Sequence, residues 1–128
     1  MQNLNDKLEE YFMYDYGKAI TILITRFPSL GIIYNIEEDF YEGLPYVFYE
    51  QVFTTYIINK AKEYNESKLS DIFDFVEDML ENGDDDTKNL IEVAVIESLF
   101  LDSQYTWDDE SLTKFYGKLT KTSFQNCV

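Results

Sequence analysis

Apolar residues recur every three or four positions along most of this chain, the spacing of an α-helix burying one face. Leu4, Leu8, Tyr11 and Phe12 open the pattern, and Ala19, Ile20, Leu23, Ile24 and Phe27 continue it until Pro28 stops it. Residues 32–41 are ambiguous between helix and extended chain, because Gly31-Ile-Ile-Tyr suits either. From Pro45, well placed in a first helical turn, the chain runs to about Tyr64 without Gly or Pro. Tyr49, Val52, Phe53, Tyr56 and Ile57 share one face of that helix while Val47, Phe48 and Ile58 lie off it, which predicts a central helix packed on more than one side.

The clearest amphipathic stripe is Leu69, Ile72, Phe73, Val76, Met79 and Leu80. Ser67 or Ser70 is a candidate cap for this helix over 68–82, and Gly83 a candidate left-handed stop. Asp84-Asp85-Asp86 supplies a cap and first-turn carboxylates for a helix from Thr87 to Leu101, so two antiparallel helices follow in a unit like one repeat of an α-solenoid. After a polar link, Asp108 or Asp109 starts a last helix through Leu112, Phe115, Tyr116 and Leu119. The expectation is a single all-α domain over 1–128, a bundle of about six helices.

Composition adds charge to this picture. In 128 residues, 45% apolar and 17% aromatic, there are 10 Lys and Arg against 25 Asp and Glu, a net charge of −15. A packed protein with that surface repels phosphate backbones and anionic lipid, so neither nucleic acid nor membrane is an expected partner. The absence of histidine removes Ser-His-Asp and Cys-His catalysis, His-ligated zinc and an imidazole switch. A lone Cys127 allows neither an internal disulfide nor a cysteine metal cage. The opening MQNLNDKLEE has no basic and apolar leader, and the longest apolar run, near Ala19 to Ile24, is too short for a bilayer; a cytoplasmic protein is expected.

Between Asp71 and Asp86 eight of sixteen residues are acidic and none is basic. At about 100° per residue, Asp71, Asp74, Asp78 and Glu81 fall within about 80° of one another, opposite the apolar stripe. Like charges at this spacing oppose folding, so the ridge, extended by Asp84, Asp85 and Asp86, reads either as a solubilising face or as a docking face for a basic partner. A second group interleaves Glu37, Glu38, Asp39 and Glu42 with Phe40, Tyr41 and Tyr46, which reads either as the mixture of carboxylates and aromatics found in protein-binding hot spots, with Glu38, Asp39, Tyr41 and Tyr46 as the contacts, or as aromatics turned inward to the core. A calcium loop beginning at Asp84 fails at Lys88, Asn89 and Val95, and no phosphate loop, dinucleotide fingerprint or CxxC is present, so no metal or cofactor is implied. Glu97 projects between Leu90, Val93, Ala94, Phe100 and Leu101 at the α-helical period; it is expected to be a buried structural carboxylate paired with a tyrosine hydroxyl, Arg26 or backbone N–H groups.

The segments Leu44-Pro-Tyr-Val-Phe-Tyr-Glu, Phe73-Asp-Phe-Val-Glu-Asp-Met-Leu and Asn89-Leu-Ile-Glu-Val-Ala-Val-Ile-Glu-Ser-Leu-Phe resemble a group of small, acidic, all-helical bacterial proteins associated with polymorphic or contact-dependent toxins. The resemblance spans about residues 44–101 and carries no catalytic signature; by analogy Glu77 and Glu97 match its recurrent carboxylates, in structural roles. It implies an immunity protein, and with the acidic surface the leading expectation is one that neutralises a cognate toxin domain, a basic nuclease, with acidic side chains. Two other readings stand beside it: a DNA-mimic inhibitor of a nucleic-acid-binding protein, and a non-enzymatic adaptor whose ridge is only a solvated face.

Overall fold

Pro28 divides the first apolar run into two helices rather than ending it. Phe27 holds φ −126° and ψ 81°, the extended side that a residue before proline prefers, and closes α1 (Ala19–Arg26). Pro28 then opens α2 (Pro28–Ile36) at a position whose N–H has no helical acceptor to lose, and the chain turns by 117°. Glu37 separates α2 from the single turn α3 (Glu38–Tyr41), so the ambiguous segment is helical. This is a computed structural model, and it describes residues 13–102 and 105–127; the apolar pattern of Leu4, Leu8, Tyr11 and Phe12 lies outside them.

Gly43, at φ 73°, makes the left-handed turn into α4 (residues 45–63), which Pro45 opens. Inside α4, Tyr49–Phe53 widens into π-helical turns. The hydroxyls of Thr54 and Thr55 donate to the carbonyls of Glu50 and Gln51, supporting acceptors where the register changes. Tyr64, left-handed at φ 45°, ends α4 with its N–H on the Ala61 carbonyl at 3.0 Å. Asn65, not Ser67 or Ser70, caps α5 (Glu66–Asn82), its Oδ1 accepting from the Lys68 N–H at 3.1 Å.

Gly83 is no left-handed stop: its backbone is extended at φ −82° and ψ 158°. It is needed for space, since a Cβ there would lie 2.5 Å from the Met79 carbonyl oxygen and 2.6 Å from Thr87 Cγ2. The same stretch bridges to Tyr14, whose carbonyl accepts from the Asp84 N–H at 3.0 Å. Asp84 caps α6 (residues 85–101), which also widens into π-helical turns over Ile91–Glu97. The single last helix expected from sequence is two, α7 (Glu110–Thr113), capped by Asp109, and α8 (Lys118–Asn126), divided at Gly117.

The described residues thus form an all-α bundle of eight helices. The rings of Phe27, Phe53 and Phe75 meet pairwise at 5.5–5.7 Å and join the α1–α2 corner, α4 and α5. As expected, α4 is central: it touches α1, α3, α5 and α6, and its π-helical turns pack on those of α6. The α5–α6 pair is covered by α8, which lies against both helices.

Candidate functional site

The acidic ridge is less continuous than its sequence suggests. Asp71, Asp74 and Glu81 are exposed on α5, and Asp85 and Asp86 are exposed in the first turn of α6, where the helix dipole favours them. Asp78 is half-buried and bound: it accepts from the Tyr14 hydroxyl and, at 2.6 Å, from Asn82 Nδ2. Burial, then the hydrogen bond to and charge of Asp78, push the Tyr14 pKa up to about 12. Asp84 is occupied as well, accepting from the N–H groups of Thr87 at 2.8 Å and Tyr16 at 3.2 Å. Two of the seven ridge carboxylates, Asp78 and Asp84, therefore hold Tyr14 and Tyr16 to the bundle. Arg26 borders the ridge, its guanidinium 5.9 Å from the Phe75 ring centroid and near enough to Tyr14 to oppose the rise in that group's pKa.

Glu97 is exposed, which corrects its assignment as a buried structural carboxylate. The buried stripe of α6 steps by four, through Thr87, Ile91, Val95 and Leu99, because the i→i+5 bonds of the π-helical turns advance the chain by less rotation per residue than an α-helix does. Counting at the α period places Glu97 on the wrong face, and the same shift leaves Val93, Phe100 and Leu101 substantially exposed. Glu97 instead lies with Glu92 near Cys127, whose thiol pKa is raised by burial first and then by these two charges. The anchoring carboxylate is Glu77. It reaches from α5 to the start of α8, where it accepts from the N–H groups of Leu119 at 3.0 Å and Thr120 at 2.9 Å and from the Thr120 hydroxyl at 2.9 Å.

The second acidic group has a different composition from the one expected. Tyr41 is only 9% exposed; its ring packs edge-on against Phe48 at 5.0 Å and its hydroxyl faces Gln51 Oε1 at 3.3 Å, so it belongs to the core, not to a binding surface. Tyr46 is half-buried, with its hydroxyl accepting from Asn89 Nδ2 at 2.6 Å. Glu38 and Asp39 are exposed. Of the aromatics in this group Phe40 is the open one, at 54% exposed, and the sequence reading missed the aliphatic residues beside it: Ile32 (64%) and Ile36 (74%), with Ile33 and Leu44 also open. Ile32 and Ile36 are one helical turn apart on α2, and Phe40 follows after four more residues on α3. Phe40 stacks edge-on against Tyr41 at 4.9 Å, which roots this surface in the core. Exposed Glu37, Glu38, Asp39 and Glu42 surround it in sequence, and no Lys or Arg occurs between Arg26 and Lys60. The available signal was the four-residue spacing of Ile32, Ile36 and Phe40, which the helix-or-strand ambiguity obscured.

A family model matches residues 20–127, from the second residue of α1 to the residue after α8. The chain belongs to DUF7674, a domain of unknown function. The match takes in every helix of the bundle, so α2 and α3 with their acid-rimmed apolar surface are part of the family domain. No curated protein and no solved structure matches the chain. Among the described residues no group of three carboxylates or thiols could hold a metal ion, and no single helix is long and apolar enough to cross a membrane.

Proposed function

We propose that this chain is a non-enzymatic binding protein that captures a basic protein partner. Following the immunity-type resemblance, the partner is a cognate toxin domain, a nuclease. The observation that carries this reading is the open apolar surface of α2 and α3, Ile32, Ile36 and Phe40, with carboxylates on its flanks. Covering the area these side chains still expose contributes about 1–2 kcal/mol each. The carboxylates of Glu37, Glu38, Asp39 and Glu42 select a partner whose complementary patch is cationic and accelerate encounter through long-range attraction. Asp71, Asp74, Glu81, Asp85 and Asp86 add to that field; Asp78 and Asp84, tied into internal hydrogen bonds, do not face the partner. An apolar centre within an acidic rim suits protein docking better than phosphate mimicry, which needs an unbroken row of carboxylates.

Co-expression with the product of the adjacent open reading frame tests the reading. The intact chain restores growth against that toxin, and Ile36→Asp and Phe40→Asp lose the rescue while keeping the wild-type melting temperature. Failure of the intact chain to restore growth, or rescue by both variants, contradicts it.

A further inference from the structure

A cleft of about 300 Å³ lies between the Tyr16–Lys18 turn, α1, α2 and the entry to α4. That is the lower end of the range of about 300–1,000 Å³ found for ligand sites. Ile20 and Ile24 of α1 give it an apolar lining, and Tyr16 and Tyr34 add two phenol rings. Gly17 and Gly43 bring no side chain to it, and a Cβ at Gly43 would meet nothing within 4 Å, so the cleft is open there. Both tyrosines are held by the bundle: Tyr34 packs edge-on against Phe48 at 5.5 Å, Tyr16 lies against Tyr46 at 6.0 Å, and the Tyr16 N–H donates to Asp84 at 3.2 Å. Each is nonetheless only half-buried, and neither hydroxyl hydrogen-bonds to another described residue.

Charge narrows what such a cleft accepts. The Tyr34 pKa is raised by burial first and then by the charges of Glu38 and Glu42; that of Tyr16 is raised by burial, then by Tyr46 and Asp86. Carboxylates therefore stand near both phenols. Glu38, Glu42 and Asp86 are exposed, none forms an ion pair with another described residue, and no basic side chain lines the cleft. An anion is repelled from such a place, and a neutral apolar group gains nothing from the carboxylates. An arginine side chain suits all of it, since its aliphatic stem covers apolar surface while its planar guanidinium offers five N–H donors to a hydroxyl and a carboxylate together.

We propose that this cleft receives an arginine side chain of the basic protein partner, its stem against Ile20 and Ile24 and its guanidinium between the Tyr34 hydroxyl and the carboxylates of Glu38 and Glu42. Tyr34 belongs to α2 and Gly43 adjoins the exposed Leu44, so the cleft and the apolar docking surface share the same elements. The inference rests on the docking reading for the source of the arginine, while the experiment probes the cleft by itself.

The probe is N-acetylarginine amide, and the reporters are Gly17 and Gly43, two of only five glycines in the chain. In proton–nitrogen correlation spectra of the full chain, the probe shifts these two amides saturably, with a dissociation constant on the order of 1 mM, and leaves Gly117 unmoved. The citrulline analogue, neutral and of the same shape, binds about tenfold more weakly, and the lysine analogue also binds more weakly. The double variant Glu38→Gln, Glu42→Gln loses affinity for the arginine probe but not for the citrulline analogue, with helicity retained, and Tyr34→Phe weakens the arginine probe alone. No saturable shift at Gly17 and Gly43, equal affinity for the arginine and citrulline or for the arginine and lysine analogues, or an arginine affinity unchanged in the double variant overturns the proposal. Rescue of growth by the intact chain without an arginine site overturns this inference alone; a saturable arginine site without rescue overturns the toxin reading alone.

Discussion

Glu77 and Gly117 form one device. The carboxylate serves three donors at the start of α8, and it reaches them because residue 117 has no side chain: a Cβ there would lie 2.2 Å from Glu77 Cδ. Glu77→Ala should destabilise the protein by about 1–3 kcal/mol, the cost of leaving part-buried donors unserved. Gly117→Ala should cost a similar amount by expelling the carboxylate, and the double variant less than the sum, as urea unfolding of the four proteins would report. Asp84 adds a pH-dependent contribution. Burial alone would raise its pKa, but the hydrogen bonds from the Thr87 side chain and from the Thr87 and Tyr16 backbones together hold it below the ordinary carboxylate value. Because the folded value is depressed, this stabilisation is complete above the unfolded value of about 3.9 and is lost as pH falls through the folded one. Asp84→Ala should therefore lower the melting temperature at neutral pH, and the gap from wild type should close in strong acid.

Between elements, tyrosine hydroxyls act as ties. Tyr49 is buried in α4 and donates to the Ala19 carbonyl of α1 at 2.7 Å, and burial raises its pKa strongly. With Tyr14 pushed up to about 12 and Tyr116 also raised, the folded state holds these protons more tightly than the unfolded chain does. Their stabilisation is intact below about pH 10 and is lost as pH rises through the raised values, so the bundle should unfold cooperatively in strong alkali. Tyr49→Phe should cost about 1 kcal/mol at neutral pH and reduce the alkaline sensitivity, both measurable by circular dichroism. At this scale the sequence was most legible where an α-helix stayed regular. The stripe from Leu69 to Leu80 on α5 is buried as its spacing predicts, and Pro45 and Asp84 open helices as their chemistry dictates. It was least legible where backbone geometry departed from the average period, as Glu97 and the π-helical turns of α6 demonstrate. Long-range partners left no local signal either: nothing near Gly117 announces that Glu77, forty positions earlier, would cap α8. The surface of Ile32, Ile36 and Phe40 was hidden for a third reason, since periodicity locates an apolar face but not whether another element covers it.

For the molecule as a whole, a net charge of −15 on 128 residues is a persistent destabilising load. Two ion pairs between described residues, Lys60 with Glu63 at 3.4 Å and Lys114 with Glu66 at 2.7 Å, involve exposed or part-exposed groups and offset little of it. Added sodium chloride should therefore raise the melting temperature at neutral pH by screening self-repulsion, and a flat or falling dependence would contradict that view. The proposed cationic partner would relieve the same repulsion, which would link the charge of the whole molecule to the acid-rimmed surface on α2 and α3. Amide hydrogen exchange on the complex with the protein encoded by the neighbouring gene tests this link most directly. The strongest protection gained on binding is expected on residues 32–44; protection concentrated on other helices, with 32–44 exchanging as in the free chain, would contradict docking through α2 and α3.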